Sequence, residues 1–470
     1  MHHSYESLDG YAAGGLRAAR GSILSPLRDR DFRLLWTGAT ASLLGDGAFL
    51  VALAWQVYVL SSGPAGMSLV GIAMTVPTIA FLLVGGVASD RLERRWLLVG
   101  ADLLRALAVA LLAGLTIGGQ VQTWHVVVLA AFYGTGSAFH APAFDALVPE
   151  ILGGEKLTQA NALDQVMRPL ALRLAGPALG GVVVGIAGAG GVFLLDCATF
   201  VMAAGTVLLM SPSRRVLGAR VGDDGASLLA DLREGDPSRA GVAGSWVADL
   251  REGWRFVRGH AWLWATFASA AIAYLLFMGP VEVLLPWIVK EGMGGSAFDL
   301  GLVFAAGGLA SMLCAVLLGR FGLPRRSITF MLAAWTLATL AVAGYGAANA
   351  IWQLMVASAV FNALETAGTI VWATTKQQHV PSALLGRVSS LDWLISVGLL
   401  PLSFALTGPA EAAIGARATL IVAGILGAVV TLAALYVPGM RSLEERAVRA
   451  ERRRRVVDER LRAAGAGTSS

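Results

Sequence analysis

Two carboxylates stand alone inside long apolar runs: Asp46, between Ser42 and Phe49, and Glu365, between Asn362 and Thr369. An acid among apolar neighbours either meets a buried partner or sheds its charge by taking a proton. A proton bound on one side of a membrane and released on the other can drive a transport cycle. An ionised carboxylate in the same place can hold a cation. Glu282, in the outer third of its run, and His140, one turn from Pro142, are further candidates for proton coupling, imidazole because it titrates near neutral pH. Structural readings stay open beside these. Gly45-Asp46-Gly47 is equally a helix-bending element, Glu365 can bond a neighbouring helix, Glu282 can be interfacial, and His140 can be held by a structural hydrogen bond.

Other polar residues recur around these four at roughly helical spacing. Ser42 and Gln56 go with Asp46; Tyr133 and Ser137 with His140; Tyr274 with Glu282; Asn362, Thr366 and Thr369 with Glu365. A polar stripe on a helix in lipid must face protein or water. Phe49, Trp55 and Met278 add apolar and aromatic surface, so the candidate cavity combines a few acids with large hydrophobic side chains. Asp102 with Arg105, and Asp164 with Arg168, are close enough along a helix to neutralise one another.

The elements that must position these residues follow from composition. With 56% hydrophobic residues, 14% charged residues and a mean hydropathy of +0.67, the 470-residue chain is an integral membrane protein. Apolar runs long enough to span hydrocarbon fall near 34–60, 68–88, 96–117, 124–146, 161–187, 191–210, 262–289, 298–319, 327–347, 351–375, 388–409 and 414–437. That is an all-α polytopic architecture of twelve helices. Loops on one side carry nearly all the loop Lys and Arg, with only Lys290 and Arg417 on the other, so the positive-inside rule places both termini in the cytoplasm. The chain divides into a cytoplasmic tail (1–31), a first six-helix bundle (32–210), a linker (211–261), a second bundle (262–437) and a charged C-terminal segment (438–470). In the linker, Trp246, Leu250, Trp254 and Val257 share a helical face, as in a helix lying on the membrane surface. Trp36, Trp124, Trp262, Trp287 and Trp352 sit at span ends and read as interfacial anchors.

Several classes are excluded. Two cysteines, Cys197 and Cys314, give no disulfide framework, and six scattered histidines give no metal site. No Gly-Lys-Ser/Thr phosphate loop occurs, and no second acid completes a protease pair with Asp46, so the sequence describes no enzyme and calls for no cofactor. The net charge of +5 belongs to inner-surface arginines and lipid contact, not to nucleic acid.

Between the second and third runs lies Gly86-Val87-Ala88-Ser89-Asp90-Arg91-Leu92-Glu93-Arg94-Arg95, a charged hairpin too short for a domain. A weaker copy, Gly319-Arg320 through Arg325-Arg326, occupies the matching place in the second half, as in a duplicated membrane unit. This hairpin resembles the signature of the major facilitator superfamily, with Glu93 where Gly is usual, as in its enterobactin and macrolide exporter branch. Gly176-Pro177-Ala178-Leu179-Gly180-Gly181 resembles the helix 5 motif of that superfamily's drug/proton antiporters. The Arg usual in helix 4 of many antiporters is absent. The resemblance implies two pseudo-symmetric six-helix bundles with helices 1, 4, 7 and 10 around a cavity, in a bacterial plasma membrane. It implies a monomeric exporter of small amphipathic, drug-like compounds in exchange for protons, contacting lipid but no nucleic acid. It also implies a conformational switch built on Gly86, Asp90, Arg91, Arg94 and Arg95, with Arg387 and Asp392 as partners. A siderophore or lysophospholipid exporter of the same fold, or a polytopic sensor without transport, are the alternatives.

Overall fold

The computed structural model describes residues 24–61, 63–152, 156–211, 251–321, 324 and 326–445, and among these every regular element is helical. Long apolar runs fold this way because a helix satisfies each backbone polar group internally where lipid offers no partner. The first helices are α1 (Arg30–Leu60), α2 (Ala65–Arg91), α3 (Arg94–Ile117), α4 (Thr123–Leu152) and α5 (Leu157–Pro169). The Asp29 carboxylate starts α1 by accepting the backbone N–H groups of Asp31 (3.1 Å) and Phe32 (3.2 Å). A six-residue π turn, Leu170–Ala175, then leads into α6 (Gly176–Leu208).

Helix α6 carries two crossings. The continuous apolar stretch Val166–Leu208 has 43 residues, about 65 Å at helical rise and twice the hydrocarbon thickness. Gly188, with φ 69° and ψ 178°, breaks it. Only a residue without Cβ takes up that backbone readily, so the chain turns where the sequence divides 161–187 from 191–210.

The second set comprises α7 (Ala261–Trp287), α8 (Ala297–Phe321), α9 (Ser327–Ala347), α10 (Ile351–His379), α11 (Ser382–Gly398), α12 (Leu400–Ile414) and α13 (Ala416–Ala434). Helices α11 and α12 lie within one 28-residue apolar stretch, Arg387–Ile414. Ten stretches of the described residues are long and apolar enough to cross a membrane, with Ala65–Phe81 a shorter one. Counting Val166–Leu208 as two crossings and adding the shorter Ala65–Phe81 brings the described residues to the expected twelve.

Packing separates two compact units: residues to Ala52 with Val76–Ser213, and Leu53–Thr75 with the chain from Arg214. Phe32, Leu35, Leu98, Leu147 and Val207 lie in a core of the first unit, and Trp262, Leu263, Met331, Val371 and Trp372 in a core of the second. Trp262 is therefore not an interfacial anchor. It is 2% exposed and packs edge-on to Trp372. Trp124 and Trp352 are 58% and 64% exposed.

In the first unit, α1 and α6 meet backbone to backbone. A Cβ on Gly180 would lie 2.6 Å from the Ala48 carbonyl oxygen, and one on Gly176 would lie 2.8 Å from the Gly47 Cα. The Pro177 ring abuts Gly47, and Gly181 is buried beside the seam. Gly45-Asp46-Gly47 thus serves close approach within one uninterrupted helix, not a break in it.

Helix α2 runs through Gly86 and Asp90 to Arg91, whose side chains lie outside the described residues. Arg94 donates to the Ala146 carbonyl (3.0 Å) and to Glu150 (2.6 Å), and Arg95 donates to the Leu208 carbonyl. Both arginines thus meet the C-terminal ends of neighbouring helices, where the helix dipole favours a cation. Trp246, Leu250 and the charged segment beyond 445 also lie outside the described residues. Residues 251–258 are helical, but Val257 is fully buried while Trp254 is 45% exposed.

Candidate functional site

The interior of the first unit holds a charged cluster. Arg105 on α3 is 4% exposed and pairs with Asp102, one turn away and 1% exposed. Its other terminal nitrogen lies 3.9 Å from the Asp46 carboxylate on α1. Asp46 accepts the Tyr133 hydroxyl of α4 at 2.5 Å, and His140 Nε2, two turns along α4, lies 3.6 Å from Asp102. The guanidinium rests over the Phe200 ring at 4.3 Å, and Phe49 stacks on Tyr133 at 4.7 Å. A cation that spacing along α3 matches only with Asp102 is therefore shared with Asp46, the position the missing helix 4 arginine leaves in question. Such a cluster can bind and release protons, since each changes the balance around one fixed positive charge.

The sequence reading missed Asp196, on the second crossing of α6. It is fully buried, with one carboxylate oxygen in the space a Cβ on Gly45 would occupy, 2.3 Å from that position. The available signal was a lone acid in the apolar run Gly191 to Phe200. Ser42 is buried, and the Ser137 hydroxyl donates to the Tyr133 carbonyl at 3.0 Å. Phe49, expected on a cavity wall, is 1% exposed and belongs to the packed interior.

The second unit holds a cavity of about 150 Å³. Aromatic rings of Tyr274, Phe277, Trp335, Phe361 and Trp372 line it together with Glu365 and Thr369. Thr369 donates to Glu365 at 3.0 Å. Asp392, also on the wall, accepts Lys376 Nζ at 2.6 Å and Trp372 Nε1 at 2.9 Å. Rings with one or two acids among them suit an organic cation, through ring quadrupoles and a charge contact.

The α10 residues are not one stripe. Asn362 donates to the Ser358 carbonyl (2.9 Å), Ser311 of α8 donates to the Asn362 carbonyl (3.2 Å), and Thr366 donates to Ser311 (3.0 Å). Those two face α8, while Glu365 and Thr369 face the cavity. Glu282 is exposed, and Met278 is half-buried and not on the cavity wall. Trp55 has Lys290 Nζ 5.6 Å from its ring, Gln56 is buried, and the Tyr58 hydroxyl donates to the Val283 carbonyl. Arg387 pairs with Glu252 and Asp392 with Lys376, while the hairpin side chains they were expected to meet at Asp90 and Arg91 lie outside the described residues. Among the described residues no group of His, Cys, Asp and Glu could hold a metal ion.

Residues 21–220 match the major facilitator family described as "Transmembrane secretion effector". The chain is 21% identical to macrolide efflux protein A of Streptococcus pyogenes, over 88% of this chain and 97% of that protein. It is 26% identical to the multidrug efflux pump Tap of Mycolicibacterium fortuitum, over 87% of this chain and 96% of that one. Among solved structures, a bacterial homologue of the iron transporter ferroportin in an inward-facing state matches with TM-score 0.61 and 16% identity, covering 87% of this chain and 99% of that one. The nucleoside transporter NupG matches with TM-score 0.59 and 11% identity, covering 87% and 98%. At such identities the structures establish a shared fold, and the family match and full-length relatives agree with it. The chain has long apolar helices in a fold like that of major facilitator transporters, and residues 21–220, under half of its length, match one family of that superfamily.

Proposed function

We propose that the protein is a secondary active exporter in a bacterial plasma membrane, moving small amphipathic, drug-like compounds outward by alternating access in exchange for protons, with both termini in the cytoplasm. The observation that carries the substrate class is the aromatic cavity with Glu365 on its wall. Two relatives that match over nearly their whole lengths bear the names of efflux proteins, which supports the same direction. At about 150 Å³ the hollow takes a single ring or an amine-bearing arm, not a whole ligand needing about 300 Å³ or more. Glu365 would thus meet the cationic part of a compound whose remainder lies elsewhere. Asp46, held by Tyr133 and near Arg105, is the proton carrier on this reading.

The test is transport of cationic dyes and macrolides into proteoliposomes under an imposed pH gradient, for wild type, Asp46→Asn and Glu365→Gln. Gradient-driven transport is expected in the wild type. Glu365→Gln should weaken binding of cationic compounds about tenfold, near 1.4 kcal/mol, and leave neutral ones unchanged. Asp46→Asn should bind ligand but lose the response to the gradient. Wild-type transport that ignores the gradient would remove proton exchange from the reading.

A further inference from the structure

We propose that Asp196 is a second proton-binding carboxyl of the first unit, packed against α1 next to Asp46. One Asp196 oxygen lies 2.3 Å from where a Cβ on Gly45 would stand. Arg105 engages Asp102 and faces Asp46 through its two terminal nitrogens. Nothing comparable serves Asp196. Oδ2 of Asp196 is buried without a hydrogen-bond partner among the described residues. Oδ1 has only the Thr199 hydroxyl, at 3.4 Å, and that hydroxyl lies closer to the Asp196 backbone carbonyl, at 2.7 Å. Asp102, by contrast, has Arg105 and His140, and Asp46 has Tyr133 and Arg105.

A fully buried carboxylate with one weak donor would be an uncompensated charge in a dry interior, far more costly than a neutral acid with an idle oxygen. The other groups packed nearby do not change this. From α4 come Tyr133 and His140; from α3, Asp102 and Arg105; from α1, Asp46; from α5, Arg168, which is already paired with Asp164 at 3.3 Å. Cys197 and Thr199 share the element of Asp196. Arg105 Nε is likewise buried and unpartnered, so the guanidinium has a donor left over in this arrangement. Loss of the Asp196 proton would add a second carboxylate next to Asp46 in the buried cluster, and uptake would remove it again. For its role in transport this rests on the proton-exchange reading; for the proton itself it does not.

Infrared difference spectra of the full-length protein in phospholipid bilayers, in H2O and D2O, test the assignment. The wild type should show a deuterium-sensitive protonated-carboxyl band that persists in Asp46→Asn and disappears in Asp196→Asn, one bound proton fewer per chain. Identical bands in wild type and Asp196→Asn overturn the proposal. Should the asparagine variant fail to fold, Asp196→Glu keeps the carboxyl: a displaced band supports the assignment and an undisplaced one overturns it. Transport by the same vesicles separates the two readings. Gradient-independent transport with the Asp196 band present removes proton exchange and leaves the proton on Asp196. Gradient-driven transport with no such band keeps the exchange and removes this carboxyl from it.

Discussion

The two units keep their acids in opposite surroundings. In the first, Asp46 and Asp102 share one guanidinium and Asp196 is buried against Gly45, in an interior with stacked Phe49 and Tyr133. In the second, Glu365 and Asp392 stand on the wall of a hollow lined by rings, and Asp392 has its own lysine. A closed cluster leaves room for protons; an aromatic hollow leaves room for part of a molecule. Acids on apolar helices can therefore serve different tasks, and what decides between them is the packing around each.

The widest test of that contrast is Arg105→Met. Removing the guanidinium in contact with Asp102 should cost about 3–5 kcal/mol, as for other buried pairs that lose one partner, and give the largest fall in thermal midpoint of purified protein. An unchanged midpoint would mean that the first unit is not closed around its charge. Lys376→Met is the matching change in the second unit. Asp392 keeps the Trp372 N–H, and its side chain is 18% exposed, so the loss should be about 1–3 kcal/mol. A fall as large as that of Arg105→Met would erase the contrast. The third change, Gly368→Ala, is read through binding. Its Cβ would lie 2.4 Å from Nε1 of Trp335, a ring on the cavity wall, so the indole must shift. Fluorescence titration with a cationic dye should show affinity reduced about fivefold, near 1 kcal/mol; unaltered affinity would separate the cavity from ligand binding.

Much of this architecture was legible in the sequence because the membrane imposes a length. Runs of twenty apolar residues can only be crossings, and the glycines at 185–191 mark where one long run must divide. Asp102 and Arg105 were legible as a pair because an i,i+3 contact is local. Their link to Asp46 was not, since it depends on which faces of α1, α3 and α4 meet. Asp196 escaped because its one polar neighbour at helical spacing, Thr199, makes no stripe with it, although isolation in an apolar run was itself the clue. Trp262 was misplaced for a related reason: a ring at the end of a run can face lipid or be covered by neighbouring helices, and spacing does not distinguish the two. Asn362 and Glu365 were assigned to one stripe, yet positions i and i+3 point about 60° apart around a helix, enough to face α8 with one and the cavity with the other.

The π turn at Leu170–Ala175 acts as a phase adjuster for α6. A turn that takes in more residues than α pitch resets the angular register of everything after it. Ahead of it, Asp164 and Arg168 keep their own pairing; beyond it, Gly176 and Gly180 come round to Gly47 and Ala48. Winding the same six residues at α pitch would rotate the following helix by about 100°, turning side chains with a Cβ into a seam that admits none. The glycine motif is therefore one part of a longer word, unreadable without the six residues that precede it.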